Sequence, residues 1–231
     1  MWVAGADGFK DRWCVVLWQL ETGELRTRVT DDFAGLLSLQ EDPAVVAVDI
    51  PIGLPDVTRP GGRTCDRLAR KLVGPRASSV FSPVGRTALA APSRLEAEVL
   101  SHAEGGIGIT AQAWGLSEKM READAAMTPE RQRQVFEVHP ELSFWSMQSE
   151  PMTYAKTKPA GVAARVRALI ESGLPAAFVS TRPAGLRATF VDFLDACAAL
   201  QTAKRIALGQ AKRLPEVAER DSRGLDMVIW Y

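Results

Sequence analysis

The chain lacks most of what marks a membrane, secreted or zinc-finger protein. Its 231 residues hold no run of about 18 consecutive apolar residues, so no stretch reads as a membrane span. The opening MWVAGADGFKDRW has neither the basic start nor the apolar core of a signal peptide, and reads as a strand and turn of the fold. Cysteines number three (Cys14, Cys65 and Cys197), far apart and in no ligand spacing, which argues against a disulfide framework or a zinc motif. Cys14 and Cys197 lie in apolar stretches and are expected as small core residues, consistent with a reducing, cytoplasmic compartment. Charge of either sign is missing in excess: 28 Lys and Arg balance 28 Asp and Glu, so no global field steers the chain toward nucleic acid or anionic lipid. Polyanion binding would need a local basic patch. Internal repeats and low-complexity segments are also absent, and Gly105-Gly106-Ile107-Gly108 has no strand before it to make a phosphate-binding fingerprint.

What is present is an ordinary globular composition, 46% hydrophobic and 24% charged, enough for one large domain or a domain with an insertion. The central stretch is Ala44–Asp56, AVVAVDIPIGLPD. Its valine-rich start fits a strand buried on both faces. The strand stops at Asp49, followed by a Pro/Gly loop, which is where open α/β sheets place their ligands. Three strands are expected before it, at Met1–Ala6, Trp13–Leu20 and Glu24–Val29, joined by turns at Asp7-Gly8 and Thr22-Gly23 as an antiparallel meander. A helix capped by Asp31 or Asp32 spans Phe33–Leu39. The order predicts an α/β fold with a mixed five-stranded sheet.

After Asp49 the chain changes character. Between Val57 and Arg86 seven basic residues (Arg59, Arg63, Arg67, Arg70, Lys71, Arg76 and Arg86) face one acid, Asp66. Arg63, Arg67 and Arg70 recur at one-turn spacing on a helix beginning near Thr64. Either a solvated face or a phosphate-gripping face fits them. Lys156 and Lys158, in a Gly/Pro-containing loop, pose the same choice. Helices are expected at Ser93–Glu104, Thr110–Met127, after Pro140, at Val162–Ser172 and at Thr189–Leu208, with a fifth strand at Gln132–Val138 and a terminal strand or hairpin in Asp221–Tyr231.

Acids thus stand at several element ends: Asp7 after the first strand, Asp49 after the fourth, Glu137 in the fifth, and Asp192 and Asp195 on the late helix. Clustered carboxylates raise one another's pKa unless a cation joins them. Hard cations such as Mg²⁺ or Mn²⁺ take oxygen ligands, a few carboxylates with water and substrate phosphate. A turn aspartate explains Asp7 equally well, and His139 before Pro140 fits a helix N-cap. Glu141 suits the first turn of its helix. Trp13 and Trp18 are expected in the core.

The pieces GADGFKDRWCVV, VDIPIGLP, RTCDRLARKLVG, SSVF, FEVHPELSF, KTKPAG and DFLDACAAL, in this order along nearly the whole chain, resemble the domain of unknown function 429 family. Its members are described as predicted nucleases of the RNase H-like superfamily. That resemblance implies an RNase H-like α/β fold, the sheet having three antiparallel strands and parallel strands four and five, helices on both faces, and a mostly helical insertion at about 57–130 of one domain. It further implies metal ligands on the first strand, the fourth strand and a late helix, here Asp7, Asp49 and Asp195. Asp192 stands as a fourth candidate and Glu137 as a less secure one. The expected function is a Mg²⁺- or Mn²⁺-dependent nuclease on DNA or RNA, its phosphates held by Arg63, Arg67, Arg70, Lys156 and Lys158. A module that binds nucleic acid or nucleotide without cutting is the alternative, and an actin-like phosphotransferase, which needs two such domains, is weaker.

Overall fold

The computed structural model describes all residues from Met1 to Tyr231. In chain order the strands are β1 (Trp2–Phe9), β2 (Arg12–Gln19), β3 (Leu25–Thr30), β4 (Val45–Val48), β5 (Val135–Glu137), β6 (Arg213–Arg220) and β7 (Asp226–Trp230). The helices are α1 (Phe33–Leu36), α2 (Thr64–Val73), α3 (Arg86–Leu89), α4 (Arg94–Ala103), α5 (Ala111–Trp114), α6 (Ser117–Ala126), α7 (Pro140–Gln148), α8 (Pro159–Glu171), α9 (Ala176–Val179) and α10 (Phe190–Ala207). The main sheet has the order β3-β2-β1-β4-β5. Strands β1 to β3 form an antiparallel meander, and β4 and β5 run parallel to β1. The expected mixed five-stranded α/β sheet is present. No helix is long and apolar enough to cross a membrane.

Side chains alternate across the pleat, so each strand feeds two cores. Ala4, Ala6, Trp13, Val15, Val46 and Val48 pack beneath α1 and the helices α3 to α6, which all lie between β3 and β5 in the chain. Val3, Cys14, Val16, Val45 and Ala47 pack on the other face against α10. That helix is buried almost all round from Phe193 to Ala203, and its alanines (Ala196, Ala198, Ala199 and Ala203) leave little side chain between helix and sheet. Contact is closest at Gly5, where a Cβ would stand 2.0 Å from the Leu200 nitrogen and 2.3 Å from the Ala196 oxygen. Only glycine leaves room there.

Several boundaries differ from expectation. Strand β1 continues through Asp7-Gly8, with Asp7 paired opposite Cys14, and the chain reverses at Lys10-Asp11, where Lys10 has a φ of 48°. Asp7 is therefore a strand residue. The helix expected over Thr110–Met127 breaks at Gly115-Leu116 into α5 and α6. The fifth strand keeps only Val135–Glu137, because Arg131–Arg133 winds into a 3₁₀ turn. Helix α1 is a single turn, capped by Asp32, which accepts from the Gly35 amide at 2.7 Å. The terminal hairpin gains a strand, β6, whose sequence RLPEVAER carries too much charge and too little alternation to be read as one. It forms a separate two-stranded sheet with β7, joined to the main sheet by a bridge from Val138 to Trp230.

Replacing Gly5 by alanine forces α10 off β1. The Gly5→Ala protein is expected to lose at least about 3 kcal/mol of stability in urea unfolding. Gly108→Ala, whose Cβ would have only the His102 ring nitrogen at 4.0 Å for company, should stay within about 0.5 kcal/mol of the parent.

Candidate functional site

The parallel register of β1 and β4 pairs Ala6 with Val48, and the Asp49 amide donates to the Ala6 carbonyl at 3.0 Å. The next residues, Asp7 and Asp49, thus stand side by side at the carboxyl ends of adjacent strands. Both share the parity of Gly5 and Ala47, so both face α10. The close approach at Gly5 sets the first turns of α10 above them and brings Asp192 and Asp195 to the same place. The four acids line one cleft of about 250 Å³. Asp7 and Asp195 lie at its base, only 7% and 1% exposed.

Its electrostatics are those of a crowded cluster of buried acids. Burial pushes the Asp7 carboxyl well above the ordinary carboxylate value, and the charges of Asp195 and Asp49 push it the same way. Burial likewise raises Asp195, to about 6, against the pull of Lys156. The Lys156 ammonium donates to Asp195 Oδ2 at 2.6 Å, while Asp195 Oδ1 has no partner. Asp192 accepts from the Thr189 amide at 2.8 Å in a capping box, so one of its oxygens is committed to its own helix. Eight buried side-chain polar atoms in the chain lack a partner, and four of them (Arg76 Nε, His139 Nδ1, Glu141 Oε2 and Asp195 Oδ1) belong to residues of this cleft. Buried polar groups are normally satisfied. Half of the exceptions gather in this one cleft.

The donor set fits a hard divalent cation. It consists of carboxylate oxygens, one of them buried and unpaired, in a cluster of like charge that a cation would relieve. No group of three or more His, Cys, Asp or Glu side chains is placed to hold a metal ion together. Mg²⁺ does not require such a group, since it keeps several waters and takes one or two carboxylates plus substrate oxygens.

Of the other expected site residues, Glu137 is not in the cleft. It is paired opposite Val48 and so points to the other side of the sheet from Asp49. There it accepts from Arg63 Nη1 at 2.7 Å, Arg63 Nη2 at 2.5 Å and the Ile52 amide at 2.6 Å. Arg63 is equally buried. It also donates to Asp66 and to the carbonyls of Ile52 and Gly53 at 3.1 Å, so it fastens the loop after Asp49 and cannot grip substrate. Arg67 ties back to the Gly62 carbonyl at 2.6 Å, and Arg70 to the carbonyls of Val80 at 2.6 Å and Gly61 at 2.7 Å. The basic face of α2 clamps its own flanking loops, and Lys158 stands exposed at the start of α8. Lys156 alone of the five expected cations reaches the acids.

The cleft has other residues to which the sequence reading gave no part in the site. Lys119 comes from α6, its stem passing over Gly8, where a Cβ would stand 2.8 Å from Cδ, and its ammonium donates to the Arg12 carbonyl at 2.8 Å. Nothing local in α6 announces this. Arg76 stood unremarked within the basic block. His139 makes no side-chain cap to α7; its Nε2 faces the Ser79 carbonyl at 3.2 Å instead. Glu141 accepts from Arg165 at 2.5 Å, has Arg76 Nε at 3.6 Å from the same oxygen, and leaves its other oxygen unpaired. For these two the available signal was position, since both follow β5 at the sheet edge that Asp49 occupies.

The family model described as a protein of unknown function, DUF429, matches residues 5–220. The chain belongs to that family. Every acid and cation of the cleft falls inside the matched span, so the cleft is part of what the DUF429 model covers. No curated protein sequence and no solved structure matches the chain significantly.

Two substitutions separate the cleft from its support. Arg63→Met leaves Glu137 and Asp66 buried without their cation and is expected to cost about 3–5 kcal/mol in chemical unfolding. Asp7→Asn should do the reverse when divalent cation is absent. The folded Asp7 carboxyl is raised above its unfolded value, so its ionisation disfavours folding. That penalty is absent below the ordinary carboxylate range near pH ~4 and grows as pH rises through the raised value. At pH 8 in chelator, Asp7→Asn is expected to be more stable than the parent in urea unfolding, and the difference should vanish near pH ~4. An acid with only a structural role would lose stability instead.

Proposed function

We propose that this chain is a divalent-cation-dependent phosphodiester hydrolase of RNase H-like architecture, acting on nucleic acid, DNA or RNA. The observation that carries the reading is the convergence of Asp7, Asp49 and Asp195, from two adjacent parallel strands and a crossing helix, in one cleft with unpaired buried oxygen. The strand order and the three elements that bear the acids agree with what the family resemblance implies.

Two of Asp7, Asp49 and Asp195 would hold Mg²⁺ or Mn²⁺, the rest of its shell coming from water and substrate oxygens, with Asp192 at the margin. The cation supplies Lewis-acid stabilisation of the phosphoryl oxygens and a water acidic enough to attack at neutral pH. The chain supplies position. Lys156, Lys119 and Arg76 stand around the acids from three separate segments and can pair with the non-bridging phosphate oxygens. Lys156 also neutralises Asp195 until phosphate competes for its ammonium. The Ser79 carbonyl can only accept, so neutral His139 carries its proton on Nε2 and keeps Nδ1 as a free acceptor beside the cleft. The Arg63–Glu137 pair fixes Ile52 and Gly53, and through them the backbone leaving Asp49.

A second reading, binding without turnover, is favoured by the Lys156–Asp195 pair, which already places a positive charge against the most buried acid. Hydrolysis of labelled single-stranded, duplex, branched and RNA substrates with Mn²⁺ separates the two. The parent protein is expected to cut at least one of them. Asp49→Asn should lose more than the roughly 10–100-fold that removal of an outer-shell partner costs, with its circular dichroism unchanged. Binding of substrate with no cleavage in any arm would leave the second reading.

A further inference from the structure

Two features outside the acids themselves restrict what can reach them. The first is depth. Asp195 and Asp7 are nearly inaccessible, and Leu116 and Lys119 of the helical segment, with Arg76 and Phe81, line the same cleft. Its volume of about 250 Å³ falls below the roughly 300–1,000 Å³ of sites that enclose a drug-sized ligand, which leaves room for about one nucleotide unit. Duplex phosphates are held on a wide, stiff double helix that cannot bend into so small a cleft, whereas an unpaired strand can flex a single phosphodiester into it.

The second feature is an apolar groove of about 780 Å³ on α8, lined by Val162, Ala163, Val166, Ile170 and Phe190. It adjoins the cleft through consecutive residues, Lys156 lining the cleft and Thr157 the groove. The first turn of α10 contributes to both, Phe190 to the groove and Asp192 to the cleft. Apolar surface next to a site of mixed phosphate-binding cations and metal-binding acids suits the face of a base that has no pairing partner.

On the strength of the proposed phosphodiester site, we infer that its substrate is single-stranded nucleic acid or an unpaired strand end. One nucleotide's phosphate enters the carboxylate cleft while the neighbouring base lies in the α8 groove, and intact duplex is refused. This selectivity is set by the small cleft and the groove, not by the acids.

Fluorescence anisotropy tests it with the full chain, Mn²⁺ present, and three labelled probes: oligothymidylate, oligouridylate and a blunt-ended duplex of equal length. At least one single strand is expected to bind about tenfold or more tighter than the duplex. Val166→Asp should erase that preference. Ala163→Glu, at an exposed position of the same groove, should do so too, which guards against a folding defect in the first variant. Equal or tighter duplex binding overturns the inference, as does cleavage inside closed-circular duplex as fast as in a single strand. A preference unchanged in both variants overturns the groove assignment. Selective single-strand binding without cleavage sustains the inference and removes the hydrolase reading, whereas binding of no probe removes both.

Discussion

The backbone contact between α10 and β1 at Gly5 is the constraint on which the rest depends. A sheet and a helix normally keep a layer of side chains between them. Here a glycine on the strand and alanines on the helix remove that layer, and a Cβ at Gly5 would overlap backbone atoms of Leu200 and Ala196. The helix is held so close that its first two turns overhang the strand's carboxyl end. Asp195 then sits beside Asp7, and β4, parallel to β1, adds Asp49 through its register. Three carboxylates come together because two backbones touch.

A second fixed point lies on the opposite side of the sheet. Arg63 joins Asp66, Glu137 and two carbonyls of the loop after Asp49, all of them buried. An ion network of this kind is weak evidence for net stability, because desolvation offsets most of the attraction. What it does provide is geometry, since the loop cannot leave without stranding charge in the interior. The basic helix α2 therefore contributes to the site at one remove, by holding the loop on which Asp49 depends.

The pattern of success and failure in the sequence follows from what is local. Asp49 was legible because a valine run ending in an acid and a Pro/Gly loop is a property of a dozen consecutive residues. The alternation that makes β1 and β2 was legible for the same reason, though the turn was placed three residues early, at Asp7-Gly8, because a glycine there reads as a reversal. In the fold that glycine makes room for Lys119, a contact across more than a hundred positions. Glu137 was misplaced by one parity step: a strand-end acid looks the same whichever face it takes, and only the register with Val48 decides. Arg63, Arg67 and Arg70 read as a surface because helical spacing gives direction around the axis but not what lies opposite.

The cleft itself departs from the economy of the rest of the fold. On the other side of the sheet buried charges are matched, as in the Arg63–Glu137 pair. At the cleft, acids repel, one oxygen each of Asp195 and Glu141 is unpaired, His139 leaves a nitrogen without a partner, and Arg76 Nε stands 3.6 Å from Glu141, beyond hydrogen-bond reach. Every one of these would be relieved by substitution with an uncharged or apolar residue, so nothing in folding itself requires them. Lys156 relieves one charge only, from a side chain that is 42% exposed on a loop and therefore free to exchange its partner. On the proposed reading, a cation would relieve the repelling acids while an anion would take up the ammonium that Lys156 gives to Asp195, so the two would stabilise the site together.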